Sequence, residues 1–350
     1  MNASVVIPTF GRPEKLGACL AAFATQNVPA ESFEVLVGFD GPGGIGFARQ
    51  AWRSAGGHDA HLITIEYPHR GYTPVRNDLL PLARGRIMIS ANDDIIPSPG
   101  FVQAHVAEHD LASQRGQSVL VSGATPFQRP PADTLLDRLM RDTSMVFFHD
   151  VMKRYVEPDA REKDWGFRHC YGLNFSAPMG QIRELGGFTV LPTIYGYEDI
   201  ECAFRVQQRF GSPVLYRPEA MAWHDHRYTA REYAAREYKL GYAALGFARV
   251  CQLCALETFG RDIAAEAEQQ YCSEFVQREF KGARLAWETF LAFERTPANV
   301  LDGPHGGTLQ AAAYQQHLPL KRWLWRQGLL DAFTGRAMQP DMALRAIMGV

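Results

Sequence analysis

The sequence predicts an α/β protein: an open, twisted, mixed sheet flanked by helices, followed by a mainly helical C-terminal region. Three observations lead there. Short β-type runs alternate with helical stretches through about the first 125 residues. Proline and capping residues place helix starts directly after strand ends. Beyond His226 the β-type runs stop and helical periodicity takes over.

Strand candidates are Ser4 to Pro8, Phe33 to Phe39, His61 to Glu66, Arg86 to Ala91 and Ser118 to Gly123. Between the first two, Pro13 opens a helix that ends before Pro29, with Leu16, Cys19, Leu20 and Phe23 on one face. Thr73 with Pro74, and Ser98 with Pro99, each read as an N-cap followed by a first-turn proline. Helices that start at strand ends leave a crevice of the kind where open α/β sheets bind ligands. From Pro126 to Trp165 the pattern weakens, with Pro130, Pro131 and Pro158 around an amphipathic stretch from Leu135 to Tyr155. Helix is expected from Tyr228 through Glu294, then a loop from Asn299 to Gly307, with the domain boundary near Arg227.

At 350 residues the chain can bury a large core and carry an appendage. Its net charge of −2 argues against a nucleic-acid partner. The N-terminal run Ser4-Val5-Val6-Ile7 lacks a basic leader, and Arg249 interrupts the apolar segment from Gly241 to Leu256, so neither secretion nor a membrane span is expected. Six scattered cysteines suit a reducing cytoplasm. Cys251 and Cys254 have the spacing of a zinc half-site, but no second pair follows, and buried thiols are the expected reading.

Three segments carry chemistry. The apolar run Ile87-Met88-Ile89-Ser90-Ala91 leads straight into Asn92-Asp93-Asp94. Adjacent carboxylates at a strand exit repel unless a cation or donors offset them, so this is a divalent-metal site or an Asx turn. Glu198-Asp199-Ile200-Glu201 is a second acidic cluster, which by itself reads as first-turn helix capping. Ala222-Trp223-His224-Asp225-His226 places two histidines at the end of a strand, with His224 and His226 expected to face opposite ways.

Together these segments resemble family 2 glycosyltransferases of the GT-A fold over roughly the first two-thirds of the chain. Val5-Val6-Ile7-Pro8-Thr9-Phe10-Gly11-Arg12 is similar to that family's opening strand and nucleotide loop, and Phe33 to Val37 leading to Asp40 to its second strand. Gly71 to Asn77 resembles the segment ending in Arg-Asn, and Asn92-Asp93-Asp94 falls at the D-x-D motif. Tyr171-Gly172-Leu173-Asn174 and Glu184 to Phe188 resemble the acceptor-side stretch before the acidic pair, here Glu198-Asp199.

The resemblance implies a domain over 1–227, with a nucleotide-binding half at about 1–125 and an acceptor-side half at about 126–227, and a helical region over 228–350. It implies an inverting transfer from a nucleotide-sugar, a UDP-sugar foremost, to a glycan or other hydroxyl acceptor. Asp199 would be the base, with Glu198 beside it. Asp94 and His224, preferred to the alternative His226, would hold Mn2+ or Mg2+, and Pro8, Thr9, Phe10, Arg12, Asp40, Arg76, Asn92 and Asp93 would contact the donor. Tyr171, Gly172 and Asn174 would face the acceptor. Arg76 could meet phosphate or pair with an acidic neighbour. One departure is plain: Asn92 stands at the first acidic position, which shifts metal binding toward Asp94.

The competing readings are a sugar nucleotidyltransferase and a non-catalytic sugar-binding module. The first needs a glycine-rich basic loop, whereas Thr9 to Pro13 holds one glycine and one arginine. Retention of Asp94 and Asp199 argues against the second. Near the C-terminus, Lys321-Arg322-Trp323-Leu324-Trp325-Arg326 reads as a packed helix with wet charges, the alternative being peripheral contact with the inner face of a membrane.

Overall fold

The computed structural model describes residues 1–155, 161–193 and 196–348; Pro158 of the weakly patterned stretch lies outside them. The strands are β1 (Ala3–Thr9), β2 (Phe33–Asp40), β3 (Leu62–Tyr67), β4 (Ile87–Ala91), β5 (Ile95–Pro97), β6 (Leu120–Gly123), β7 (Asn174–Pro178), β8 (Val214–Arg217) and β9 (Ala222–His224). The helices are α1 (Pro13–Ala24), α2 (Ile45–Ser54), α3 (Tyr72–Leu79), α4 (Phe101–Gln114), α5 (Leu135–Asp142), α6 (His149–Met152), α7 (Met179–Glu184) and α8 (Glu198–Phe210). They continue as α9 (Ala230–Val250), α10 (Gln252–Phe259), α11 (Glu266–Arg278), α12 (Phe280–Arg295), α13 (Gly306–Phe333) and α14 (Pro340–Met348).

Seven strands form one mixed sheet in the order β3-β2-β1-β4-β7-β6-β8. β3, β2, β1 and β4 run parallel, so their C-terminal ends share one edge. β7 runs antiparallel between β4 and β6. Every residue of β1 and β2 is buried, as expected of parallel strands covered on both faces. α1 buries Leu16, Cys19, Leu20 and Phe23, the face read from the sequence.

Two capping expectations are corrected. α3 begins at Tyr72 behind Gly71, and α4 begins at Phe101 behind Gly100, so neither Thr73 nor Ser98 is an N-cap. Gly71 has φ 94, a backbone setting only glycine takes without strain, and the chain uses it to turn from β3 into α3. β7 and β8 were not legible as strands; they are only five and four residues long, too short for a pattern to mark them.

The chain divides into two compact units: residues 1–127, 149–190 and 198–226, and residues 128–148, 191–197 and 227–350. The first contains both sheets. The second is helical, with α5 and α9 each started by a full capping box, Thr134 with Asp137 and Thr229 with Glu232. Within it α9 and α13 pack closely. A Cβ on Gly241 would lie 1.8 Å from the Trp325 carbonyl, and one on Gly328 would lie 2.1 Å from that of Tyr238, which explains glycine inside both helices. Trp323 is 1% exposed and donates its indole N–H to Val276. Trp323 and Leu324 are packed inside the helical unit while Arg322 is exposed, so Trp323 is not available to anchor a membrane contact. Among the described residues no helix is long and apolar enough to cross a membrane.

Candidate active site

All of the site lies in the first unit, at the C-terminal edge of its parallel strands. β4 ends at Ala91, and Asn92, Asp93 and Asp94 follow before β5. β5 pairs with β9 so that Ile95 faces His224, and the Asp225 N–H donates to the Asp94 carbonyl at 2.8 Å. The short two-stranded sheet thus brings His224 Nε2 within 3.7 Å of Asp94 Oδ2.

The two aspartates have different fates. Asp93 is fully buried: its Oδ2 accepts from Thr9 Oγ1 at 2.6 Å and its Oδ1 from the Arg12 guanidinium. Burial, with the neighbouring Asp94 charge, pushes Asp93 up to about 6, against the pull of Arg12. It is therefore a structural anchor, not the donor contact expected of it. Asp94 is 5% exposed; its Oδ2 accepts from Arg12 Nη1 at 2.7 Å, while its Oδ1 is buried without a hydrogen-bond partner. Burial alone would raise Asp94, but His224, Arg12 and His226 outweigh it and hold the carboxyl well below the usual range.

His224 and His226 do not face apart. Their rings stack with centroids 5.6 Å apart, as residues two positions apart in extended chain share a face. The expectation of opposite faces is corrected on that ground.

The second acidic pair sits in the first turn of α8. Asp199 Oδ2 accepts the Gly172 N–H at 2.7 Å and Oδ1 accepts the Ile200 N–H at 2.8 Å. Gly172 is held from its other side by Ser90 Oγ, which donates to the Gly172 carbonyl at 2.6 Å. A Cβ on Gly172 would stand 3.2 Å from Asp199, so the glycine allows this close approach. Burial raises Asp199, against the two backbone N–H groups and Arg76. Glu198 is also raised, by burial and then by the adjacent Asp199 charge. A carboxylate raised in this way is a stronger base than one in water.

Arg76 is 1% exposed, with its guanidinium over the rings of Tyr72 and Phe188 and Nη1 3.7 Å from Glu198. Its nearest carboxylate is Glu198, yet its Nε and Nη1 are buried without a hydrogen-bond partner.

A third group gathers after β1, β2 and β3. Pro8 and Thr9 end β1, and Phe10, 59% exposed, stacks on His69 at 4.5 Å. Asp40 is 3% exposed at the end of β2, where its carboxylate accepts the N–H groups of Arg70 and Gly71 at 2.7 and 2.9 Å and lies 3.0 Å from His69 Nδ1. Asp40 thus braces the turn into α3.

Tyr171 is half-buried, 3.4 Å from His169 Nδ1 through its hydroxyl. Asn174 is fully buried; its amide nitrogen donates to the carbonyls of Ala124 and Ala220 and its oxygen meets His105 Nε2 at 3.0 Å. It is consumed by these bonds and cannot reach an acceptor, which corrects that expectation. Asn92 is half-buried, and its carbonyl receives the Cys19 thiol at 3.6 Å.

Sequence reasoning missed His69, Lys15 and Asp225. Lys15 Nζ pairs with Asp225 Oδ2 at 3.1 Å, tying α1 to the segment that carries His224. The signal available was helical spacing, since Arg12 and Lys15 are three apart and lie on one side of α1's first turn.

The mixed seven-stranded sheet flanked by helices is the GT-A fold. The mannosyltransferase PcManGT from Pyrobaculum calidifontis, solved in complex with GDP-Man and Mn2+, shares it with a TM-score of 0.52 over 95% of this chain and 86% of its own, at 18% identity. Residues 4–162 match the family described as Glycosyl transferase family 2. Two proteins named validoxylamine A glucosyltransferase, from Streptomyces hygroscopicus subsp. jinggangensis and subsp. limoneus, are each 27% identical over 237 residues, 62% of this chain. The chain spans about half the length of these relatives, 54% and 50% respectively.

Proposed function

We propose that the protein is an inverting glycosyltransferase that moves a sugar from a nucleotide-sugar to an acceptor hydroxyl. The observation that carries this reading is the pairing, in one unit, of a braced and raised Asp199 with the Asp94–His224 cluster. The names of the relatives, sugar transferases all, support the same class.

Asp199 takes the proton of the acceptor hydroxyl as that oxygen bonds to the donor's anomeric carbon, and the nucleoside diphosphate departs from the opposite side with the electron pair. Each Asp199 oxygen accepts one backbone N–H and keeps a lone pair for that proton. Gly172 and Tyr171 form the acceptor side. Arg76 and Glu198 steady the start of α8 behind Asp199.

The residues present fit a divalent cation. Asp94 Oδ1 is a buried oxygen without a partner, and His224 adds an imidazole, a mixed set that favours Mn2+ over Mg2+. Among the described residues no three His, Cys, Asp or Glu side chains gather as a complete cage, so diphosphate and water would supply the other ligands. Such a cation would offset the charge on the departing diphosphate.

Phe10 and His69 offer the nucleobase an aromatic platform. Asp40, with three of its roughly four acceptor positions used, suits the single imide N–H of uracil better than guanine's paired donors. A UDP-sugar is therefore the proposed donor and a glycan or other polyol the acceptor. A reducing, cytoplasmic setting suits six cysteines that form no disulfide.

The test is release of nucleoside diphosphate from a panel of nucleotide-sugars with and without Mn2+, for wild type and Asp94→Ala. Metal-dependent release from one donor, lost in Asp94→Ala, is expected. Release of inorganic pyrophosphate from a nucleoside triphosphate and a sugar 1-phosphate, with no diphosphate released from the nucleotide-sugars, would establish the nucleotidyltransferase reading. Absence of any release while nucleotide-sugar binds would leave the sugar-binding module.

A further inference from the structure

Arg12 stands at the N-cap of α1, and its guanidinium spans both aspartates, Nη2 on Asp93 and Nη1 on Asp94 at 2.7 Å. The two contacts are unequal. Asp93 is fully buried, also takes the Thr9 hydroxyl, and has no exposed edge through which anything else could reach it. Asp94 keeps one buried oxygen without a partner and has His224 beside it. Arg12 itself is 42% exposed along its side chain, so one end of the guanidinium is anchored and the other can leave. The fork geometry of arginine suits this double contact, which a lysine's point charge could not make.

We propose that Arg12 makes metal binding depend on the nucleotide: it occupies an Asp94 oxygen that a divalent cation needs, and gives it up when a diphosphate arrives. This rests on the metal reading above. A hard cation takes as many carboxylate oxygens as it can reach, and a guanidinium hydrogen-bonded to one of them competes directly. A diphosphate changes the balance twice. It brings oxygen ligands for the cation, and it offers the swinging end of Arg12 a new anion while the other end stays on Asp93. Asn92 sharpens the effect, because the site lacks the further carboxylate that would attract a cation in spite of Arg12.

Lys15, in the first turn of α1, completes the arrangement. Its contact with Asp225 fixes the chain immediately after His224, so the imidazole stays near Asp94 when Arg12 moves.

The experiment is calorimetric titration of the full chain with Mn2+, first alone and then with saturating UDP, for wild type, Arg12→Met and Asp94→Ala. Removing the competing guanidinium is expected to tighten Mn2+ binding without nucleotide by about tenfold, the size of one charge-assisted hydrogen bond. With UDP present the gain disappears, and UDP itself, titrated at saturating Mn2+, binds the variant about tenfold more weakly because its phosphates lose the arginine. Asp94→Ala loses Mn2+ binding in both conditions. A purely structural role for Arg12 would weaken both measurements together, and the opposite signs exclude it. If wild type and Arg12→Met bind Mn2+ equally without nucleotide, or the variant binds less, the proposal is overturned while the metal site stands. If wild type with UDP takes up no Mn2+, the proposal falls together with the metal reading.

Discussion

Replacing Asp199 with Asn keeps the shape of the side chain and removes the anion, and the surrounding bonds set what this costs. The native carboxylate accepts Gly172 N–H on one oxygen and Ile200 N–H on the other. An amide has one oxygen, so its NH2 group must face one of those backbone donors. Losing a charge-assisted bond and leaving a donor without an acceptor costs about 1–3 kcal/mol. At roughly 2–4 °C per kcal/mol for a domain of this size, the melting temperature falls by about 2–12 °C. Loss of a general base slows the chemistry by about a hundred- to ten-thousand-fold. Glu198→Gln is the contrasting variant, because it strips the 1% exposed Arg76 of its nearest carboxylate and costs about 3 kcal/mol or more in stability. The assay pairs initial transfer rates at saturating donor with melting curves and calorimetric UDP binding. Asp199→Asn should be folded, bind UDP nearly as wild type does, and transfer sugar at least about a hundredfold more slowly. Wild-type transfer by Asp199→Asn would refute the base assignment. A folded but dead Glu198→Gln alongside an active Asp199→Asn would move the base to Glu198.

Gly172→Ala should lower kcat about tenfold with little change in UDP affinity, because the new Cβ would sit 3.2 Å from Asp199 and displace it by a few tenths of an ångström; an unchanged kcat in steady-state assays would show that Asp199 tolerates the shift. The buried pair His105 and His109, bonded to Ser176, carries a pH dependence. Burial lowers them from 6.5 to about 4 and about 3. Between those values the unfolded chain binds protons that the native state does not, so their stability is fully present above about pH 6.5 and is lost as pH falls toward 4 and then 3. Each contributes a slope of about 1.4 kcal/mol per pH unit within that window. Urea midpoints from pH 7 to 5 should decline, and His109→Gln should flatten the decline by about one proton; equal slopes would show that His109 titrates in the native state.

How much of the site could be read in advance follows from what holds each residue. Val5 to Thr9, Val35 to Asp40 and Ile87 to Asn92 are mainly apolar runs ending in polar residues, and runs of that kind specify buried parallel strands and the loops at their ends. Local sequence therefore placed Thr9, Asp40, Asp94 and Asp199 at strand exits and a helix start. It could not show what each side chain does there, because the partners are distant in sequence. Asp93 is silenced by Thr9 and Arg12, more than eighty residues away. Arg76 meets Glu198 across the fold, and Asn174 is taken up by Ala124, Ala220 and His105. Whether a polar side chain is offered to a ligand or spent on the protein depends on which donors and acceptors surround it once water is removed. Composition and periodicity determined the sheet, the helical C-terminal region and the two acidic clusters, whereas only the packing of β4, β5 and β9 left Asp94, and not Asp93, with a buried oxygen unspent.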